Sequence, residues 1–315
     1  MKCVLVGNYG VGNIGDEALR EYFLTEFPEI EWIVVSASPH GESEVPRLPF
    51  GLRSLIFPWW RTIAAIRSAD ALVFGGGSLF TDIESVWACL LWRSYAWVAT
   101  LFRTPYFLAF QGAGPWKTAL GRRLARTTYL GASFISVRDA ESLKRVRDLG
   151  GVRDPVHTFD PAFALFARHQ KTPVINRTLV VIPRANSSEQ FFASVSEKLQ
   201  TKWDAVLVLL MEPQEERGVA ERLQTMCPEC TVVEIASVRQ LLAEVTRASE
   251  AVVQRFHGAL AALALGVPFA IVPQAPADKM AALAETVKRG GVREEWLSAV
   301  GRGANALRAA CAALS

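Results

Sequence analysis

The chain has 315 residues, half of them hydrophobic and 21% charged, which excludes a disordered protein and suits two domains of ordinary size. Lys and Arg number 34 against 31 Asp and Glu, so net charge leaves no footprint for nucleic acid as the main partner. Five cysteines, an odd number, and no secretory signal before the first apolar run point to a reduced, cytoplasmic setting.

The first apolar run, Cys3–Val6, leads into VGNYGVGNIGDEAL (Val6–Leu19), where Gly10, Gly12 and Gly15 spell G-x-G-x-x-G. A strand, a glycine turn and a helix in that order form the dinucleotide-binding fingerprint. Two features oppose a dinucleotide here. The second strand, Trp32–Val35, runs into Ser36-Ala37-Ser38 and supplies no acid for the ribose hydroxyls. Asp16 and Glu17 occupy the first helical turn, where they suit the helix dipole but would repel a pyrophosphate. What remains is a loop whose backbone can approach a ligand, with Gly12 and Gly15 giving access and Asn13 and Asp16 as polar handles. A tight turn with Asp16 as a helix-start residue accounts for the same letters.

Strands are predicted next at Ala71–Phe74, Tyr106–Ala109 and Phe134–Val137. Each runs into a polar turn: GGGSLFTD (Gly75–Asp82), QGAGP (Gln111–Pro115) and SVRDAESL (Ser136–Leu143). Between the first two lies Ser85–Thr104, almost long enough to span a bilayer. Arg93 at its centre and its polar interruptions favour a buried or interfacial helix instead. Together with the basic, aromatic stretch Leu52–Arg67, it offers Trp59, Trp60, Trp87 and Trp92 either to a core or to the inner membrane face.

A polar stretch with a proline, Ala167–Arg177, separates two apolar patterns. After it, strands are predicted at Leu179–Ile182, Ala205–Leu210, Val232–Ile235, Ala251–Val253 and Phe269–Val272. Helices fall at Glu189–Gln200, Glu215–Met226, Arg239–Ala248 and Gly258–Leu265. Repeated β-α alternation predicts an α/β protein with two Rossmann-like domains, their parallel sheets facing a cleft. We place the N-terminal domain at residues 1–168, a linker at 169–177 and the C-terminal domain at 178–315, with a last helix able to pack back on the first domain. Cys227-Pro-Glu-Cys230 has C-x-x-C spacing but no second pair or histidines nearby to complete a metal site.

In open α/β sheets the chemistry lies beyond the carboxyl ends of the strands. Arg255 and His257 stand at such an end, before the small apolar helix ALAALALG. Gly258 and Ala259 would let the N-terminus of that helix come close to an anion, and Arg255 adds a forked donor. Arg138 and Arg184 follow other strands, and Lys279 follows the last one. Four cations drawn from both halves suit a single anionic substrate, although Arg138-Asp139 is also an ordinary surface pair.

Six segments in order, GNYGVGNIGDEAL, GGGSLFTD, QGAGP, SVRDAESL, FDPAF (Phe159–Phe163) and QRFHGALAALALGVPFAIVP, resemble the polysaccharide pyruvyl transferase family. The chain looks like its bacterial cell-wall subgroup, which acts in attaching S-layer proteins, and the family resemblance covers about Cys3 to Lys279. It implies a two-domain fold of the GT-B kind. It also implies transfer of the enolpyruvyl unit of phosphoenolpyruvate onto two sugar hydroxyls, giving a cyclic pyruvate ketal and phosphate, with phosphoenolpyruvate as co-substrate and no cofactor or metal. By motif, Arg138, Arg255 and His257 are associated with phosphoenolpyruvate, and Arg184 and Lys279 are added to them. His257 is the acid or an anion ligand, and Asp16 is the candidate base with Asp82 behind it. Gly12, Asn13, Gly15, Gly77, Asp82 and Gln111 line the acceptor-side loops. The acceptor of this subgroup is a lipid-linked wall saccharide containing N-acetylmannosamine, which would give the aromatic, basic stretches a purpose at the membrane.

Two other readings fit the same pattern. A glycosyltransferase of this fold would use the R-x-H turn for the diphosphate of a nucleotide-sugar and an acid such as Glu234 for its ribose. A non-catalytic saccharide- or anion-binding module is the third.

Overall fold

Apolar runs uninterrupted by alternation are strands buried on both faces, and such strands assemble as parallel sheets sandwiched by helices. The computed structural model, which describes residues 1–49, 58–83, 85–169, 176–274, 279–288 and 290–314, contains two of them. The seven-stranded sheet is built from β1 (Lys2–Val6), β2 (Glu31–Ser36), β3 (Glu44–Pro46), β4 (Ala71–Gly77), β5 (Tyr106–Gln111), β6 (Phe134–Val137) and β7 (Val156–His157). Their order is β3-β2-β1-β4-β5-β6-β7. The helices between them are α1 (Ile14–Glu26), α2 (Trp60–Ser68), α3 (Val86–Leu101), α4 (Ala119–Gly131), α5 (Ala140–Arg147) and α6 (Pro161–Ala167).

The five-stranded sheet holds β8 (Thr178–Ile182), β9 (Ala205–Leu210), β10 (Thr231–Glu234), β11 (Glu250–Val253) and β12 (Phe269–Ile271), in the order β10-β9-β8-β11-β12. Its helices are α7 (Glu189–Leu199), α8 (Pro213–Met226), α9 (Val238–Thr246), α10 (Phe256–Leu265) and α11 (Lys279–Lys288), and the chain closes with α12 (Arg293–Ala312). Every strand pair in both sheets is parallel. Ten strands coincide within a few residues with the apolar runs of the sequence. Strands β3 and β7, three and two residues long, have no such run and were not anticipated.

The chain forms two compact units, one of Met1–Val11, Leu19–Pro161 and Trp296–Ser315, the other of Gly12–Ala18 and Ala162–Glu295. Most of α12 therefore belongs with the first sheet. Arg308 there donates to the carboxylates of Glu26 and Glu29, at 3.1 and 3.0 Å, and Trp296 stacks on Phe159. Part of the polar stretch Ala167–Arg177 (170–175) and part of Leu52–Arg67 (52–57) lie outside the described residues.

Helix starts follow local chemistry. Ser85, Thr118, Asp139, Ser188 and Ser237 precede α3, α4, α5, α7 and α9, and each side chain accepts a first-turn backbone N–H. One face of the first sheet packs the rings of Tyr22, Phe23, Phe27, Trp32 and Phe110 edge to face. The other packs Phe74, Phe80, Trp92, Tyr95 and Tyr129. Trp92 thus belongs to the core, the first of the two places the sequence offers it, 5% exposed and stacked on Tyr95.

Helix α12 comes so close to β5 and β7 that only a glycine fits between them. A Cβ on Gly303 would stand 2.5 Å from Phe110 Cε1 and 2.6 Å from Thr158 Cγ2. Gly303→Val is expected to cost about 1–3 kcal/mol through overpacking, read as a lowered denaturant midpoint.

Candidate functional site

Each sheet has one place where strand order reverses, between β1 and β4 in the first and between β8 and β11 in the second. Such a point opens a crevice at the carboxyl ends of the strands, where α/β proteins bind ligands.

The first crevice is filled by the protein itself. Tyr9 is 1% exposed and its hydroxyl donates to the Gly75 carbonyl at 2.8 Å. A Cβ on either Gly7 or Gly75 would collide with the Tyr9 side chain. Asn13 then turns the glycine loop into a self-capped helix start. Its Oδ1 accepts from Gly15 N at 2.9 Å, and its carbonyl accepts from Asp16 N and Glu17 N, both at 3.1 Å. The backbone donors that a dinucleotide pyrophosphate would take are engaged by Asn13, and the side chain of Tyr9 occupies its crevice.

Beside this point the first unit gathers Arg138. The residue is 4% exposed; its Nη1 donates to Asp160 Oδ2 at 2.7 Å and its Nη2 to Ser78 Oγ at 3.0 Å. Gly112 lets the guanidinium in, since a Cβ there would sit 3.0 Å from Nη2. Gly77 has φ +81°, a conformation that favours glycine, and its carbonyl accepts from Gly112 N at 2.7 Å. Gln111 is wholly buried, and its Nε2 donates to the carbonyls of Phe74, Gly76 and Ala109. Asp82 anchors the start of α4: its carboxylate accepts from Lys117 N at 2.6 Å, Thr118 N at 2.8 Å and Thr118 Oγ1 at 2.6 Å. Burial pushes its carboxyl up, but the bonds from Thr118 and Lys117 outweigh that and hold it below the ordinary carboxylate range.

The second reversal point carries the other predicted cations. Arg184 follows β8 and donates through Nη1 to Gln274 Oε1 at 2.9 Å. Gln254 ends β11, 2% exposed; its Nε2 donates to Ser188 Oγ at 3.1 Å, while its buried Oε1 has no hydrogen-bond partner among the described residues. Arg255 is the residue before α10 and gives it no side-chain cap. Its fork turns toward α8, with Nε on Glu216 Oε1 and Nη2 on Glu212 Oε2, both at 2.6 Å. Burial raises the Glu216 carboxyl despite Arg255. At Glu212 burial acts in the same direction but the Arg255 bond prevails and lowers it. Lys279 opens α11 with its Nζ 5.3 Å from the centroid of the Phe256 ring, beside the start of α10. Glu234 ends β10, exposed.

His257 lies in the first turn of α10, its ring edge-on to Phe256. A Cβ on Gly15 would fall inside the imidazole, so the first turns of α1 and α10 meet at a glycine–histidine contact within the second unit. Asp16 follows Gly15 directly. The structure therefore brings Asn13, Gly15 and Asp16 to His257, and groups Arg184, Arg255 and Lys279 around the turns of the same sheet. Arg138, Gly77, Asp82 and Gln111 belong to the other unit.

Sequence reasoning missed the partners that position these groups. Asp160 sits in the quoted segment FDPAF without an assigned role. Glu212 and Glu216, four residues apart on one helical turn, carried a legible signal as a paired-carboxylate clamp. Among the described residues no group of three or more His, Cys, Asp or Glu is placed to hold a metal ion.

Because the folded Asp82 carboxyl lies below its unfolded value, its stabilisation is complete above the ordinary aspartate value of 3.8 and is lost as pH falls through the folded value. Asp82→Asn is expected to cost about 1–3 kcal/mol at neutral pH and to flatten the acid limb of stability against pH, measured by urea melts across the range.

No curated protein matches the chain. Among solved structures it is similar to Anabaena HepE in complex with UDP and glucose, at 11% identity and TM-score 0.54, covering 98% of this chain and 94% of that one. It is also similar to the UDP-GlcNAc 2-epimerase of Neisseria meningitidis, at 10% identity and TM-score 0.56 over 98% and 99%. A third is a UDP-N-acetylglucosamine 2-epimerase from Listeria monocytogenes, at 12% identity and TM-score 0.58 over 97% and 94%. These likenesses concern the fold, two parallel-sheet α/β domains of the GT-B kind. The model of the polysaccharide pyruvyl transferase family matches residues 13–275, and the chain belongs to that family.

Proposed function

We propose that the protein transfers the enolpyruvyl unit of phosphoenolpyruvate to two hydroxyls of a cell-wall saccharide, forming a cyclic pyruvate ketal and releasing phosphate. The observation that carries this reading is the contact of His257 with Gly15, which places an imidazole between two helix starts at the reversal point of the second sheet. The start of α10, with no acid in its first turn, favours anions, and phosphoenolpyruvate carries a carboxylate and a phosphate.

The chemistry needs an acid for the methylene carbon and a base for the hydroxyls. His257 delivers the proton to the methylene, which leaves an oxocarbenium-like centre at C2. One sugar hydroxyl adds there and gives up its proton to Asp16. Phosphate leaves with the C2–O bond electrons and takes the proton held by Asp16, and the second hydroxyl adds to close the ketal, giving its proton to the now neutral His257. One phosphoenolpyruvate and one diol thus give one ketal and one phosphate, with no cofactor consumed. Arg184 and Lys279 serve the donor's anionic groups, while Arg138, held by Asp160, positions the SVRD turn. Arg255, already held by two carboxylates, positions the QRFHG turn. Gly12 and Asn13 are assigned to the acceptor, a lipid-linked saccharide containing N-acetylmannosamine, whereas Gln111, wholly buried and bonded to backbone carbonyls, is corrected to a structural role.

The test is incubation with phosphoenolpyruvate and a disaccharide containing N-acetylmannosamine, with UDP-sugars in parallel. Phosphate release and a matching mass gain with phosphoenolpyruvate alone are expected; turnover of a UDP-sugar instead would refute the reading. His257→Ala is expected to lower turnover about 100- to 10,000-fold with the fold intact by circular dichroism. Gly15→Ala, whose methyl would displace the imidazole, is expected to lower kcat by at least about 100-fold.

A further inference from the structure

Helix α3 has two apolar faces. Cys89, Trp92, Tyr95, Ala96 and Ala99 point into the core. Trp87, Leu90, Trp97 and Leu101 are exposed, from 39% for Leu90 to 65% for Trp87. At 3.6 residues per turn those four fall within an arc of about 80°. This is a second, outward stripe about four turns long.

The stripe does not end at α3. Helix α4 packs against it and exposes Leu120 and Leu130, which share an arc of about 80° with Arg123 and Thr127. Arg93 on α3 donates through Nε to Thr127 Oγ1 at 3.3 Å, so the two exposed stripes adjoin. On the opposite flank α2 packs against α3 and exposes Trp60 at 59%. All three helices belong to the first unit.

Charge on these three helices has one sign. Helices α2, α3 and α4 contain Arg61, Arg67, Arg93, Arg122, Arg123 and Arg126 and neither Asp nor Glu. For a chain whose positive and negative residues nearly balance, three neighbouring acid-free helices concentrate cationic charge around exposed Trp and Leu. An apolar stripe rimmed by arginine fits the surface of an anionic bilayer, where Trp and Leu enter the headgroup–acyl boundary and guanidinium groups meet lipid phosphates. A protein partner of matching acidity would need an apolar face of similar length, whereas a bilayer supplies both features at any point. No described helix is long and apolar enough to cross the membrane, so contact would be from one side.

We propose that the outer face of α3 and α4, centred on Trp87, Leu90, Trp97 and Leu101, docks the protein on anionic lipid bilayers. The inference stands on this surface and does not require the transfer reaction.

The whole protein is to be sedimented with vesicles of phosphatidylcholine alone and of phosphatidylcholine with phosphatidylglycerol, with tryptophan emission followed in parallel. Binding is expected only to the anionic vesicles, with a blue shift and with weakening at high salt. Trp87→Ser/Trp97→Ser is expected to lower the vesicle affinity by at least about ten-fold. Both side chains are exposed, and retention of the wild-type melting curve checks that the variant is folded. Arg122→Glu/Arg123→Glu provides a second variant acting through charge alone, with the same direction of effect. Absence of binding to anionic vesicles, or binding unchanged in both variants, would overturn the proposal. So would a concentration-dependent dimer in ultracentrifugation that the Trp variant dissociates, since the face would then belong to a second copy. Turnover of a water-soluble acceptor is expected to stay unchanged in both variants, which separates failure of docking from failure of the transfer reading.

Discussion

A guanidinium taken out of water has to find a carboxylate, and the turns of this protein are arranged around that requirement. Isolated buried charge is costly, and removing one partner of a buried pair costs about 3–5 kcal/mol, a large share of what holds a domain folded. Arg138 meets the requirement through Asp160, and Arg255 through Glu212 and Glu216. In each case the carboxylate comes from an element that the arginine's own strand does not contact in sequence. The Arg138–Asp160 pair ties the end of β6 to the segment before α6. The Arg255 clamp ties the end of β11 to the first turn of α8. The strand-end turns are therefore fixed by ion pairs beneath them, and His257, two residues after Arg255, inherits a defined position against Gly15.

The glycine loop shows how a fold can keep its fingerprint and change its use. The strand order β3-β2-β1-β4-β5-β6 is that of a dinucleotide-binding sheet, and the glycines after β1 are needed for the same tight passage. What differs is occupancy. The side chain of Tyr9 closes the crevice, Asn13 consumes the donors at the helix start, and Gly15 yields its space to an imidazole. The glycine that would serve helix–strand packing in a nucleotide site serves here the approach of two helices. Both functions need the absence of a Cβ, which is why the sequence pattern alone does not separate them.

The layout of the sheets was legible because strands buried on both faces leave continuous apolar runs, and ten of the twelve did. Strands β3 and β7 were hidden because two or three residues at a sheet edge need no such run. Site residues divided along a similar line. Arg138, Arg255 and His257 were visible because they end strands and precede helices. Their partners were not, because Asp160 and Glu216 become neighbours only when the chain closes over 22 and 39 residues. The role of Asp82 illustrates the reverse error: a carboxylate after a strand has the right address for chemistry, yet its oxygens are committed to the backbone of α4.

Helix α3 carries the same lesson into the surface. Its composition, apolar with one arginine, states that the helix avoids water without stating on which side. Trp87 and Trp92 are five residues apart, about 140° around the helix, and so cannot share a face. The sheet decides between them: Trp92 faces inward with Tyr95 and Ala96, and Trp87 is left outside with Leu90, Trp97 and Leu101. A helix apolar on both sides is ordinarily enclosed by protein, with layers on each face. Here α3 has its sheet on one side and α2 and α4 at its flanks, so the fold covers part of its circumference and leaves the outer stripe open. The arginines of the neighbouring helices then set the electrostatic character of that opening, and the absence of Asp and Glu from all three helices leaves no acidic group on them to offset it.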